Sequence, residues 1–293
     1  MKNAFETMMQ PIIQTPNKTH ETINSKTFIF IDGSYYCFYR YYSMLNWWKN
    51  AHPQEEIPDP MLNATFVDKF KKTFVENIEK IPQKLNLRQD KTLYSMIVGK
   101  DCPRGDIWRN ALYDKYKGTR DRDDGFMGGQ FFKMAYDEDL FAAGGVSKTL
   151  FHPKLEADDC IALSVKHLLA KYEDCKIYII TSDKDYLQLL EPRVQIYNLA
   201  FKNLAEQKSY PGDPKLQLFC KIVTGDPSDN IPQVLSKCGE KTAIKCYNDR
   251  AYFEERLKKE NAQEKFEKNQ RLIDFDFIPE DLKAEFMEKY YAC

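Results

Sequence analysis

Leu155-Glu156-Ala157-Asp158-Asp159, running through Cys160–Cys175 into Lys176-Ile177-Tyr178-Ile179-Ile180-Thr181-Ser182-Asp183-Lys184-Asp185, decides how this chain is read. From Ala157 onward the apolar residues fall at Ile161, Val165, Leu168, Leu169 and Tyr172, the stripe of a helix packed on one face. Lys176–Ile180 is short, β-branched and aromatic, and reads as a buried strand. Glu156, Asp158 and Asp159 therefore stand at a helix N-terminus, where the macrodipole favours negative charge. Asp183 and Asp185 stand just past the carboxyl end of a strand, the edge at which open parallel α/β sheets bind ligands. Either piece alone serves equally well as a solvated helix start or a solvated turn. Together they bring five acids to one edge, where they repel and raise each other's pKa unless cations neutralise them. Oxygen donors without His or Cys suit hard ions, Mg²⁺ or Mn²⁺.

The pattern repeats upstream. Thr27-Phe-Ile-Phe-Ile31 is an apolar strand ending in Asp32-Gly33, and Thr92–Val98 is a second one followed by Gly99-Lys100-Asp101. Three strands thus deliver Asp32, Asp101 and Asp183 at or beyond their carboxyl ends, with helices between them, as one site on one edge of a parallel sheet would require. The aromatic run from Tyr35 to Tyr42 and Trp47-Trp48 reads as a helix packed on the sheet, with Tyr39 and Arg40 free to face a ligand. Phe66, Phe70, Phe74 and Ile78 step by four along one face of a further helix. Tyr116-Lys117-Gly118-Thr119-Arg120 is a compact basic knot, suited to clamping phosphate beside a metal–carboxylate site. The glycines between Asp121 and Ser147 suggest a mobile excursion with one helix over Gln130–Phe141, outside the rigid core. Tyr186–Leu190 reads as a short helix, Val194–Tyr197 as a strand, and from Lys215 the chain turns helical and basic.

The 293 residues, 43% hydrophobic and 14% aromatic, support a substantial core in one large domain or two ordinary ones. A net charge of −1 excludes a uniformly basic polyanion binder, but an acidic site and a basic track elsewhere would cancel to the same sum. The eight cysteines form no C-x-x-C pair and several lie in apolar runs, as reduced buried thiols do. The four scattered histidines suggest neither zinc nor a His-based nucleophile. With no apolar run of membrane-spanning length and a polar Met1–Lys26 segment, a soluble intracellular monomer without membrane contact is expected.

Taken in order, Ile31-Asp32-Gly33-Ser34-Tyr35, Tyr116–Arg120, Glu156-Ala157-Asp158-Asp159, Thr181–Asp185 and Gly225-Asp226-Pro227-Ser228-Asp229-Asn230-Ile231-Pro232 resemble the motifs of the 5′-nuclease superfamily. Its members include flap endonucleases, the 5′-nuclease domain of DNA polymerase I and phage 5′-exonucleases, and the pattern is closer to the bacterial and phage branch. The resemblance implies a PIN-like, mostly parallel sheet flanked by helices over residues 27–214, after a tail over 1–26. An arch-like mobile segment would lie near 115–150, and a helical helix–turn–helix DNA-binding region over 215–293.

It also implies two metal sites, with Asp32, Asp101, Glu156, Asp158 and Asp159 serving the first and Asp183, Asp185, Asp226 and Asp229 the second. Lys117 and Arg120 would contact the scissile phosphate. Arg40, Lys237, Gly239, Lys241 and Thr242 would contact DNA, and a K⁺ ion in the helix–turn–helix element would assist. One departure stands out: Leu235–Gly239 keeps one of the family's usual two hairpin glycines, with Lys237 and Lys241 as compensation. The implied activity is metal-assisted phosphodiester hydrolysis on DNA with a 5′ flap, nick or free 5′ end, extending to RNA–DNA hybrids. The competing readings are a non-catalytic branched-DNA scaffold on the same fold and an RNA-directed 5′ nuclease. A glycosyltransferase using Asp183-x-Asp185 alone leaves Lys117–Arg120 and Asp226–Asp229 unexplained.

Overall fold

A computed structural model of the chain describes residues 26–87, 93–120 and 125–292, with Arg120 described by its backbone alone. The expected tail, Asp121–Asp124, the side chain of Arg120 and Cys293 lie outside the described residues. Five parallel strands form one sheet: β1 (Thr27–Asp32), β2 (Tyr94–Gly99), β3 (Val146–Leu150), β4 (Lys176–Ile180) and β5 (Val194–Tyr197). Their spatial order is β3-β2-β1-β4-β5, so the winding reverses between β1 and β4. Crevices at such reversals are where doubly wound sheets hold ligands. Asp32 lies level with Gly99, and Ile31 with Ile180, which brings the three aspartate-bearing strand ends to one height.

The helices, in chain order, begin with α1 (Gly33–Ala51), α2 (Ala64–Glu79), the short α3 (Ile81–Lys84), α4 (Gly129–Asp137), α5 (Leu140–Ala143) and α6 (Ala157–Lys171). They continue with α7 (Pro214–Thr224), α8 (Glu240–Asn248), α9 (Arg250–Lys259), α10 (Gln263–Ile273) and α11 (Glu280–Tyr291). Strand side chains alternate between the two faces of the sheet. Ile29, Ile31, Val98 and Ile180 meet α1, α2, α4 and α5 on one face. Phe30, Ile97, Ile177 and Ile179 meet α6 and α11 on the other. The four-residue stripe of α2 is fully buried, as its spacing predicts, and Asn63 caps that helix by accepting from the Phe66 amide at 2.9 Å.

The segment after Asp121 departs from expectation. It holds two helices rather than one, broken where Asp139 turns left-handed (φ 52°), and then an edge strand, β3. Phe131, Met134, Ala135, Leu140 and Phe141 are all buried, so this stretch is part of the core. The glycines mark its turns, not a detachment from the body.

α7 to α10 enclose a separate small core of Phe219, Val223, Leu235, Ala243, Phe253 and Leu257. Tyr116, Ile222, Ile231, Leu272 and Ile273 weld it to the sheet layer. The chain then returns: α11 packs on α6, and the Phe151 amide donates to Tyr290 Oη at 2.8 Å. The seven described cysteines are buried and unpaired with one another. Among the described residues no helix is long and apolar enough to cross a membrane.

Phe70 lies at the centre of the α2 stripe with no exposed surface, against Phe74 and Phe131. Phe70→Ala is expected to cost about 3–5 kcal/mol through lost burial and a residual cavity. Urea unfolding should show a lower midpoint with an unchanged slope.

Candidate metal centre

Asp32 ends β1 and caps α1, accepting from the Tyr35 amide at 3.0 Å with one oxygen and from Thr181 Oγ1 at 3.0 Å with the other. Asp101 follows β2 and accepts from the Ala157 amide at 2.7 Å and from the Ser34 hydroxyl. The N-terminus of α6 comes this close because Gly99 carries no side chain: a Cβ there would stand 2.9 Å from both the Ala157 carbonyl and Ile161. Asp183, past β4, faces Asp32, and its Oδ1 accepts from the Asp185 amide at 2.9 Å. The strand ends and one helix start therefore gather Asp32, Asp101, Glu156, Asp158 and Asp183 from segments far apart in sequence.

The acids divide by whether a cation accompanies them. Burial first, then Asp101 and Asp183, push the Asp32 carboxyl up to about 7. Burial also raises Asp101, against the opposing hydrogen bonds, and Asp158 goes well above the carboxylate range through burial and its neighbours Asp159 and Glu156. Glu156 runs the other way: burial would raise it, but Lys117 and Arg109 outweigh that and hold it below its ordinary value. Asp226 is likewise held low, Lys221 outweighing burial.

Three cations organise these contacts. Arg109, itself only 2% exposed, meets Asp159 with two N–H groups at 2.7 and 2.8 Å, Glu156 at 3.0 Å and the Leu272 carbonyl at 2.8 Å. Lys117 pairs with Glu156 and lies 3.9 Å from Asp229, while its backbone amide donates to the Asp229 carbonyl at 2.9 Å. Burial would lower the Lys117 ammonium, but Glu156 and Asp229 outweigh it and raise it. Lys221 joins Asp185 to Asp226, the latter at 2.8 Å. Tyr116 Oη bridges the two halves, 3.0 Å from Glu156 and 3.2 Å from Asp229.

Asp185, Asp226 and Asp229 can bring one oxygen each within 4.8 Å of one another, and so can Glu156, Asp158 and Asp159. The sequence-derived set of nine is thus drawn to one edge, but Asp159 differs from the rest. It is fully buried and engaged by Arg109, by Trp108 Nε1 at 2.9 Å and by the Glu156 amide at 3.2 Å. Those bonds make it an anchor for the helix start. The donor set of the remaining acids suits hard divalent cations, and two buried hydroxyls, Tyr136 and Tyr186, have no protein partner beside it. Tyr186 Oη faces Asp32, Asp158, Asp183 and Asp101. Arg109, Lys221 and Tyr186 are missed by sequence reading: each is an isolated residue in a helix or irregular turn, without a motif spacing.

Lys237, Gly239 and Lys241 are exposed and Thr242 half-buried, around the start of α8. Lys237, within the Leu235–Gly239 stretch, takes the left-handed conformation (φ 51°) that a glycine would accept more readily. Gly225, at φ 75°, is obligatory in the turn before Asp226, since a Cβ would meet the Ile231 carbonyl at 2.4 Å. Arg40 is not at this surface; it is 9% exposed, on the α1 face turned toward α2.

The raised Asp32 carboxyl sets a sign. Its folded pKa near 7, against 3.8 for the free group, means the metal-free folded state holds the proton more tightly. Its contribution to stability is therefore lost as pH rises from about 4 through 7. In EDTA, Asp32→Asn should melt above wild type at pH 8, by about 1–3 kcal/mol after discounting for the partly open edge, and the gap should close near pH 4. Mg²⁺ should raise the wild-type Tm more at pH 8 than at pH 5. A destabilised Asp32→Asn at pH 8 in EDTA would contradict the carboxylate crowding.

Residues 27–213 match a family model described as the 5′-3′ exonuclease, N-terminal resolvase-like domain. A 5′-3′ exonuclease of Buchnera aphidicola (subsp. Acyrthosiphon pisum) is 30% identical over 226 residues, 76% of this chain and 70% of that one. A ribonuclease H of Enterobacteria phage T4 is 32% identical over 152 residues, and DNA polymerase I of Treponema pallidum 34% over 143. Those matches take in 47% and 46% of this chain, but span only 48% and 14% of the two relatives' own lengths. In fold, the chain is similar to a bacteriophage T5 protein co-crystallised with metal ions, with a TM-score of 0.62, 17% identity, and coverage of 90% of this chain and 97% of that one. A T5 flap endonuclease complexed with DNA and metal ions gives 0.59 at 18% identity, with the same coverage. By the domain match and by identity across most of a 5′-3′ exonuclease, the chain belongs to the 5′-3′ exonuclease family, on its bacterial and phage side.

Proposed function

We propose that this chain is a divalent-metal-dependent, structure-selective 5′-3′ exonuclease or flap endonuclease that hydrolyses phosphodiester bonds in DNA. The observation that carries the reading is the set of half-buried carboxylates without a resident cation (Asp32, Asp101 and Asp158) facing a second acidic group at Asp185, Asp226 and Asp229. Such crowding is costly in a protein that never binds cations. Asp32, Asp101, Glu156, Asp158 and Asp183 would hold one Mg²⁺ or Mn²⁺, and Asp185, Asp226 and Asp229 a second, with Asp159 as support. When bound, the two ions supply an activated water and neutralise charge on the attacked and departing oxygens.

The chain's own groups do the rest. Lys117 is kept protonated by Glu156 and Asp229 and stands where a non-bridging phosphate oxygen can replace the carboxylate as its partner. Arg120, three residues on, would add a second contact. Residues 215–293 would grip the duplex. The start of α8 has no side-chain cap, which leaves its first-turn amides open beside Lys237, Gly239, Lys241 and Thr242, a geometry that binds phosphate without reading bases. Such contacts make binding salt-sensitive and sequence-tolerant.

A second reading, cleavage of RNA strands paired to DNA, is favoured by the phage T4 relative named ribonuclease H. Matched flap, nick, single-strand and RNA–DNA substrates separate the two.

Asp183→Asn is expected to abolish release of 5′-labelled product from a flapped or nicked duplex in Mg²⁺ while duplex binding in EDTA stays within about twofold. A fully active variant would remove Asp183 from the chemistry. Lys117→Ala should lower kcat by about 10²-fold or more with a much smaller change in affinity, because the contact matters most as charge develops. Equal losses in both would make Lys117 a plain phosphate contact.

A further inference from the structure

The Leu235–Gly239 loop that leads into α8 is held by a pair of opposite charges lying outside it. Leu235 and Cys238 are buried, Ser236 and Lys237 between them are exposed, and Lys237 is left-handed. A lysine gives up stability in that conformation unless its surroundings fix it. The fixing groups come from α9. Arg256 and Glu260 stand one turn apart, and two guanidinium N–H groups meet one carboxylate oxygen at 2.8 and 2.5 Å. The other carboxylate oxygen accepts from the Ser236 amide at 2.7 Å and from its hydroxyl at 2.8 Å. Arg256 Nη2 also donates to the Ser236 carbonyl at 3.1 Å. One ion pair thus takes up each polar group of Ser236.

α9 is a firm support for this grip. Its Phe253 and Leu257 are buried in the small core beside Leu235 and Ala243. Tyr252 Oη accepts from Arg256 Nη1 at 3.2 Å, while Lys245 of α8 lies 3.9 Å over the Tyr252 ring. The contacts therefore run from α8 through α9 back to the loop. The Ser236 amide first, then its hydroxyl and Arg256, hold the Glu260 carboxyl down at about 2 against desolvation, so it stays ionised through neutral pH. An exposed pair of this spacing contributes little by itself; here its charge-assisted bonds go to the backbone and act through geometry.

We infer that Arg256 and Glu260 are positioning residues, which fix the Ser236 peptide so that Lys237 and the uncapped start of α8 are preset for a phosphate backbone. Their role toward a duplex rests on the nuclease reading; their grip on the loop does not. The sign of the charge separates this role from a plain electrostatic one. As a bare charge beside a surface that meets phosphates, Glu260 would repel them, and its removal would tighten binding. As a positioning residue, its removal loosens binding. Arg256→Lys gives a second separation, since it keeps the charge and loses the fork.

Hydrogen exchange on the full chain tests the grip without any substrate. Glu260→Gln and Arg256→Lys should each speed exchange of the Ser236 amide about tenfold or more and leave the amides of α1 and α6 as in wild type. On a 5′-labelled nicked duplex in Mg²⁺, both variants should raise KM about tenfold with kcat within about twofold. Ser236→Ala, which removes the hydroxyl alone, should raise KM by less.

A Glu260→Gln protein with KM at or below that of wild type would overturn the positioning role, and so would an unchanged KM in Arg256→Lys. Ser236 exchange unmoved in both variants would overturn the grip itself. A fall in Tm and kcat in step with the rise in KM would reduce the pair to general support of the fold. Each of these leaves the nuclease reading standing. Wild type that neither binds nor cleaves the duplex, with the exchange response retained, would instead sink that reading.

Discussion

Like charges gathered at one sheet edge are the constraint around which this fold is arranged. Parallel strands end together, so each aspartate that follows a strand adds to the same local potential. Arg109 contains much of it. Buried beneath the start of α6, it fixes Asp159 and Glu156 and also reaches the carbonyl of Leu272. One guanidinium thereby joins the sheet layer to the helical C-terminal part. Removing it would leave two buried carboxylates uncompensated, a change that typically costs more than the pair is worth. Lys117 and Lys221 act closer to solvent, at half-buried positions where a cation or phosphate can compete for their partners.

The division between accompanied and unaccompanied acids gives the edge its chemical character. Glu156 and Asp226 are ionised because ammonium and guanidinium groups stand beside them. Asp32, Asp101 and Asp158 are held toward the neutral form. An edge of this kind gains free energy from any hard cation that displaces a proton, and the unpartnered hydroxyls of Tyr136 and Tyr186 add sites for bound water. Stability and function pull in opposite directions there, which is common where charge is concentrated for chemistry.

Much of this was legible in the sequence because it depends on periodicity and order. The step of four from Phe66 to Ile78, the apolar runs of β1, β2 and β4, and the aspartates behind them each follow from one-dimensional spacing. β3 was not legible: its three central residues are exposed at a sheet edge, so no apolar run betrays it. The break at Asp139 was hidden because nothing in its neighbours demands a left-handed residue. Asp101 was legible from order and strand context, while its partners, Ser34 and the Ala157 amide, lie 67 and 56 residues away and were not. Arg109 and Lys221 could not be singled out at all. A lone arginine in an irregular turn and a lysine within a helix look like surface residues until the tertiary fold closes over them.

The return of α11 onto α6 has a consequence for biosynthesis. Tyr290 ties to Phe151, Leu272 to Arg109, and Thr181 to Asp32, across 139, 163 and 149 residues of chain. Contacts this remote close slowly, because the loop entropy is lost before the contact forms. While the ribosome still holds α10 and α11, α6 lacks its cover on the side away from the sheet and Arg109 lacks one of its anchors. An emerging polypeptide therefore carries the acidic residues long before it can hold them in register, which delays assembly of the cluster until α10 and α11 have formed.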